Sequence, residues 1–368
     1  MRGEHGYVVG NDIYLFDSLP SPPRPLIAVA IAGRDIGKPA GDFLFASPRA
    51  FVDSDGTLHV LWAEPGNDWR PVVREDWGTF RQHYASVWHA AYTPAAGWSR
   101  PGQVYASSLI TWYHGTADMV LDSAGTLHGV IADEEARTMF YLSFSHGAWQ
   151  ARPIPGITHA PVYMSIAVSR DGWVYVAYVD ADRSVRGDGN SVFLVRSTDG
   201  GRTWLAPQLI SRSGTDRATQ TRVLAAPDGT MHLVWAKNLS GGLEPQVIRH
   251  AASGDGGETW SPPQDVDIPD GLGTLHAAMD RCGAVHVVHE SHVDVDEAQT
   301  EQRRLFYARW NGGWSALESP FDDFNSTEAD MVTGSDGSPS LVWSVVRLAE
   351  NPDHSTFQPV ISRLDVRP

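Results

Sequence analysis

One cysteine, Cys282, stands in a chain of 368 residues. A single thiol excludes an intrachain disulfide framework and a cysteine-built metal cluster. Basic residues are scarce as well: 28 Lys and Arg against 44 Asp and Glu leave a net charge of −16. That deficit argues against partners bound through phosphate neutralisation, so neither nucleic acid nor an anionic membrane surface is expected. Long apolar runs are missing. The longest, LIAVAIAG at 26–33, has the length of a strand and not of a bilayer span. The opening residues, MRGEHGYVVGNDIYLF, lack the cationic-then-apolar order of a secretory leader. The expectation is a cytoplasmic protein, or a secreted one whose leader has been removed. Helical apolar spacing is absent from every stretch of comparable length.

Turn formers and aromatics are abundant instead: 35 Gly, 24 Pro and 14 Trp, with 42% hydrophobic residues. Many short strands joined by tight turns fit that composition, whereas disorder does not. A hairpin pattern recurs in FVDSDGTLHVLWAE (51–64), VLDSAGTLHGVIAD (120–133) and AVSRDGWVYVAYVD (167–180). It returns in LAAPDGTMHLVWAK (224–237), AMDRCGAVHVVHES (278–291) and MVTGSDGSPSLVWS (331–344). Each copy is an apolar run, a glycine turn and a second run alternating at period two. A third strand-like run follows each of the first five, and then a Gly-rich turn leads to Trp98, Trp149, Trp204, Trp260 or Trp314.

Six such units predict an all-β fold: a six-bladed β-propeller of four-stranded antiparallel blades. The sixth unit ends after its third strand, so a strand from the N-terminal segment is expected to close the last blade. The whole chain, 1–368, is read as one domain. Residues 1–40 form the N-terminal segment, and the blades span approximately 41–108, 109–157, 158–213, 214–270, 271–322 and 323–368.

Two of the turns are nearly identical: RSTDGGRTWLAP at 196–207 and ASGDGGETWSPP at 252–263. Both fit Ser-x-Asp-x-Gly-x-Thr-Trp, which resembles the Asp-box, or BNR repeat, of the sialidase superfamily. Asp199 and Asp255 are suited to accept hydrogen bonds from their own loops, and Trp204 and Trp260 to wedge between sheets. These loops are therefore structural. The resemblance implies that they lie on the face away from the active site. Catalytic groups are then expected at the opposite end, where first strands begin and second strands end.

At that end, equivalent positions on the first strands are polar in a run that is otherwise apolar. One position carries Arg49, Asp118, Ser165, Arg222, His276 and Asp330; another, two residues earlier, includes Tyr163, Gln220 and Glu328. Side chains two apart on a strand share a side. These residues predict a polar funnel. Arg49 and Arg222, with His114, are the candidates for binding an anionic group, because arginine forks match carboxylates. Asp118, Tyr163, His276, Glu328 and Asp330 are the candidate acids, bases or nucleophiles. The segment EPGNDWRPVVREDWGTF (64–80) is read as a long loop over the funnel; it adds Asp68 as a further acid and Trp69 as a stacking surface. Asp68 also stands near the place of the acid/base Asp in the resembling family. Other catalytic motifs of that family are altered: Ala46 stands where its first Arg would fall. Histidines 59, 128, 232 and 286 recur at one place in the second strand and are assigned to packing.

The expected function is an enzyme for an acidic carbohydrate, of the glycoside hydrolase or uronate lyase type. Two alternatives stay open: a cyclase, isomerase or non-glycosidic hydrolase for a small molecule, and a non-catalytic glycan-binding protein. No cofactor and no metal site are expected. The partner is a small-molecule or oligosaccharide substrate that carries a carboxylate.

Overall fold

The computed structural model describes residues 5–9, 12–16, 27–30, 49–53, 55–74, 78–93, 95–109, 117–133, 138–145, 147–157, 161–180, 190–212, 217–238, 247–268, 275–294, 301–316, 318, 326–333, 339–347 and 356–363. Among them every regular element is a strand, and all pairings are antiparallel. Sheet A holds β1 (His5–Val9), β2 (Asp12–Phe16) and β3 (Ile27–Ala30). Sheet B holds β4 (Arg49–Val52), β5 (Leu58–Arg74), β6 (Gly78–Thr93) and β7 (Gly97–Trp98), with β8 (Gly102–Leu109) also pairing to β6. Sheet C runs through β9 (Ala117–Leu121), β10 (Leu127–Asp133), β11 (Thr138–Ser145) and β12 (Ala148–Pro153). Sheet D has β13 (Pro161–Val168), β14 (Val174–Asp180), β15 (Ser191–Ser197) and β16 (Gln208–Ser211). Sheet E has β17 (Arg217–Ala225), β18 (Met231–Asn238), β19 (Val247–Ser253) and β20 (Gln264–Asp267). Sheet F has β21 (Leu275–Met279), β22 (Val285–Asp294) and β23 (Glu301–Trp310), and sheet G has β24 (Ser326–Thr333), β25 (Pro339–Arg347) and β26 (Thr356–Arg363).

This arrangement corrects the expected propeller. The described residues form seven sheets, and only C, D and E have the four-stranded form. None closes on itself, and together they do not make the expected ring of six equal units. The N-terminal strands do not complete the last sheet; β1, β2 and β3 pair with one another. Gly10-Asn11, between β1 and β2, is a two-residue hairpin signal. A local hairpin closes a short loop, whereas pairing to the last sheet spans almost the whole chain at a larger entropic cost. The segment 64–80 is corrected as well. It extends β5 and β6 into one long hairpin, with Trp69 opposite His83 and Arg74 opposite Gly78. In sheet F two isolated bridges, Tyr307 to Glu318 and Trp310 to Trp314, stand where a fourth strand was expected.

The core lies between sheets. Leu61, Val87, Leu127 and Ile131 fill the B–C seam, and Val130, Met139, Ile166 and Val176 the C–D seam. Val179, Leu194, Leu233 and Trp235 fill the D–E seam, and Val234, Ala236, Val285 and Val287 the E–F seam. The second strands of sheets C, D and E are buried on both faces, as β10 is throughout. The first strands adjoin in order, β4 to β9 and onward to β13, β17, β21 and β24.

Burial on both faces leaves each polar group inside in need of a partner. The recurring histidines meet that need. Asp53 accepts from the backbone N–H groups of Asp55 and Thr57 with one oxygen and holds His59 Nε2 at 3.1 Å with the other. His59 Nδ1 then meets His89 Nε2 at 3.1 Å. Asp122, His128 and Tyr141 repeat the chain in sheet C, and Asp280, His286 and Tyr307 in sheet F. In sheet E, His232 pairs with His250 at 2.9 Å.

The two near-identical loops lock one sheet to the one before. Asp199 accepts from Arg202 N at 3.0 Å, Thr203 N at 2.8 Å and Thr203 Oγ1 at 2.6 Å, and Asp255 does the same with Glu258 and Thr259. The Thr203 side-chain hydrogen bond, followed by its backbone N–H, holds the Asp199 carboxyl down to about 2. Gly201 has a positive φ of 82° and sits against the Tyr141 ring of sheet C, whose hydroxyl donates to Gly200 O at 3.2 Å. Trp204 meets the same ring edge-on at 5.5 Å.

Gly201→Ala places a methyl into the Tyr141 ring and strains the backbone, so it is expected to cost about 2–4 kcal/mol. Urea denaturation measures the loss, and an unchanged midpoint contradicts the close approach. A second expectation concerns acid. Burial, then the charge on His59, pushes His89 down to about 4; burial, then His232, pushes His250 down to about 3. In the unfolded chain both protonate near pH ~6.5, so the stability they carry is complete above that pH and is lost as the pH falls through it. The denaturation midpoint should hold above about pH 7 and drop between about pH 6.5 and 4, a loss of about 3 kcal/mol for His89 alone. A flat profile across that range rules out neutral buried pairs.

Candidate functional site at the start of the first strands

The register confirms one level across six sheets. Arg49 lies opposite Leu61, Asp118 opposite Val130, Ser165 opposite Ala177, Arg222 opposite Val234, His276 opposite Val288 and Asp330 opposite Val342. The level is set by counting back from a glycine turn, which is why it was legible in the sequence. Asp68 and Trp69 lie on β5, at a register break between Pro65 and Trp69. Glu328 lies on β24, within the break between Thr327 and Asp330. His114 lies outside the described residues.

Two residues before this level, the backbone departs from regular strand. Pairing breaks between Val162 and Ser165 in β13 and between Thr219 and Thr221 in β17. Inside these bulges Tyr163 has φ of 51° and Gln220 has φ of 55°. Positive φ is unfavourable for a side chain with a Cβ, and neither residue is Gly, Asn or Asp. Such strain persists where surrounding contacts enforce it, and it gathers at functional positions. Here Thr221 Oγ1 donates to Tyr163 O at 2.6 Å, and Gln220 Oε1 accepts from Leu275 N.

The same level supplies ties between neighbouring sheets. Asp118 Oδ2 accepts from Ile166 N at 3.0 Å, joining C to D. Ser165 Oγ accepts from Val223 N at 3.2 Å, joining D to E. Arg222 is half-buried, and its Nη1 donates to Thr221 O at 2.9 Å. His276 is buried.

Sequence reasoning passed over Asp133 and Lys237 at this end, and weighed His289 and Glu290 only as an unconvincing metal site. Asp133 and Lys237 are buried near the ends of second strands, and Glu290 is buried within β22. Tyr105 OH donates to Asp133 at 3.0 Å. His289, buried opposite Leu275, has neither ring nitrogen hydrogen-bonded. Burial, then the charge on His276, pushes His289 down to about 3. Their signal was present: each interrupts an apolar run, in HGVIAD, HLVWAK and HVVHES. Among the described residues no group of three or more His, Cys, Asp or Glu is placed to hold a metal ion. Among them, too, no helix is long and apolar enough to cross a membrane.

No family model matches the chain, and no curated protein matches it. Solved structures do. A polysaccharide lyase described as an ulvan lyase is similar at 13% identity over 86% of this chain and 82% of its own, with a TM-score of 0.57. An α-L-arabinofuranosidase from Fusarium graminearum is similar at 12% identity over 87% of this chain and 93% of its own, with a TM-score of 0.53. A leech intramolecular trans-sialidase is similar at 10% identity over 87% of this chain and 68% of its own, with a TM-score of 0.50. At these identities the likeness is one of fold: a β-rich architecture resembling sialidase-like carbohydrate-active enzymes.

Removing a tie leaves a buried N–H without its acceptor. Asp118→Ala is therefore expected to cost about 1–3 kcal/mol, while Asp118→Asn, which keeps an acceptor oxygen, costs less. Urea denaturation of both variants checks the order; equal stability of Asp118→Ala and the parent contradicts the tie.

Proposed function

We propose that the chain is an enzyme acting on a carbohydrate that bears a carboxylate, by elimination beside that carboxylate. The observation that carries the reading is the pair of equivalent strained bulges at Tyr163 and Gln220, two residues before the register level that holds Arg49, Arg222 and His276. In this reading Arg49 and Arg222 hold the carboxylate. Tyr163 takes the proton from the carbon next to it, and the electron pair forms a carbon–carbon double bond. The bond from the neighbouring carbon to the glycosidic oxygen breaks, and His276 protonates that oxygen as it leaves. Asp118 positions the strands. Asp68, Trp69, Glu328 and Asp330 complete the binding surface. The loops ending in Trp204 and Trp260 are read as Asp-boxes of the sialidase-like kind, remote from this chemistry. Fold likeness to lyases and glycosidases supports the substrate class, although fold alone does not carry function.

The test is turnover of a panel of polyuronides and sialosides. Elimination yields a conjugated, ultraviolet-absorbing product; hydrolysis by Glu328 and Asp330 yields reducing ends without that absorbance. Arg222→Ala is expected to lower kcat/KM on a uronate substrate by about a hundredfold, roughly 3 kcal/mol. Absence of turnover across the panel overturns the proposal.

A further inference from the structure

The long hairpin of sheet B is out of proportion to its neighbours. β10 and β14 end at Asp133 and Asp180, three residues past Val130 and Ala177, the partners of Asp118 and Ser165. β5 runs thirteen residues past Leu61, the partner of Arg49, and ends at Arg74. β6 returns from Gly78 and reaches the same level only at His89. The excess on the shorter strand is about eight residues, roughly 25 Å at the rise of a strand. Among the described residues, β4 pairs with β5 only as far as Leu61, and β8 with β6 only from Tyr84 onward. Residues 69–74 and 78–83 are thus a two-stranded arm leading away from the level of Arg49, with neither outer edge paired among the described residues.

Acids outnumber bases 44 to 28 in the chain, yet the twelve paired residues of the arm hold three arginines and no Asp or Glu. The acids Glu75 and Asp76 fall in the turn, outside the described residues. Residues paired across a hairpin share a face, and successive ones alternate. Arg70 and Arg74 therefore share one face with Phe80, and Arg81 shares the other with Trp69. Each face joins guanidinium to an aromatic ring. A guanidinium fork matches a carboxylate, and the electron-rich face of an aromatic ring attracts the C–H face of a sugar. Arg70 and Arg74 stand four positions apart, about 13 Å along the strand. That spacing suits carboxylates on successive residues of a chain rather than one sugar.

We propose that the arm is a second binding site, for a stretch of acidic polysaccharide away from the bond that is cleaved. The proposal rests on the reading of the substrate as a carbohydrate bearing carboxylates, and not on the reaction performed on it. The arm supplies positive charge to a chain whose net charge of −16 otherwise repels such a polymer. A second copy of the chain fits the arm poorly: Pro71 has no N–H to give to a ladder, and like charges on two copies repel. Tethering at the arm raises the concentration of polymer at the level of Arg49, so it acts on long chains and not on short ones.

Calorimetry on the full chain at low salt tests this, with polygalacturonate, alginate and hyaluronate as polymers and trigalacturonate as a short probe. At least one polymer is expected to bind, and to bind more weakly as salt is raised. Arg70→Ser together with Arg74→Ser should raise the Kd of that polymer by about tenfold or more and leave the binding of the short probe unchanged. Arg70→Lys together with Arg74→Lys, which keeps the charge but not the fork, should fall between the two. Failure of all three polymers to bind overturns the proposal, as does a serine double variant that binds the polymer like the parent. So does sedimentation that finds a dimer in the parent and a monomer in that variant, because the arm is then an interface between copies. Polymer binding that depends on Arg70 and Arg74, without turnover of any carbohydrate, supports the arm and overturns only the enzymatic reading.

Discussion

A sheet buried on both faces cannot leave its polar groups to water. Sheets C, D and E are in that position, with second strands almost wholly enclosed. Every donor and acceptor inside must find a partner across a strand or across a seam, and the energetic penalty for failing is larger than the gain for succeeding. The two ends of the sheets meet this constraint in different ways. At the hairpin-turn end of sheets B, C and F the partners come from a repeating device, an aspartate that caps its own turn and binds a histidine, which reaches a histidine or tyrosine on the third strand. At the other end they come from single side chains that differ from sheet to sheet.

That difference separates scaffold from candidate site. His59, His128 and His286 do the same thing in three sheets, so their chemistry is that of packing. Asp118, Ser165, Arg222 and His276 share a register level but not a residue type. Asp118 and Ser165 use theirs to bind the next sheet's backbone. Arg222 donates to Thr221 O on its own strand, and His276 is buried beside Leu275, whose N–H is held by Gln220. Strain at two equivalent positions raises the energy of the folded chain and is held there by the contacts of Thr221 and Gln220 with neighbouring sheets.

Much of this was legible because it is periodic. Glycine turns counted in sequence placed Arg49, Asp118, Ser165, Arg222, His276 and Asp330 on one level, and the pairing reproduces that level. The sixth hairpin and its third strand also lie where the alternation put them. Other features were hidden. Gly10-Asn11 signalled a hairpin, but only pairing energies decide whether that hairpin stays by itself or joins the last sheet. The run 64–80 reads as a loop by composition, yet its backbone pairs with itself along β5 and β6. Lys237 and His289 interrupt apolar runs, but their burial came from the neighbouring sheets, which local patterns do not contain.

By itself the sequence determined that the described elements are strands, where their hairpins turn, and which residues share a register position, because these follow from local sterics and a two-residue period. Tertiary structure alone decided how many sheets form, which of them touch, that Tyr163 and Gln220 take a left-handed backbone, and that Lys237 is enclosed. Those outcomes depend on contacts between residues far apart along the chain, where the energy of packing one sheet on another overrides what each segment prefers alone.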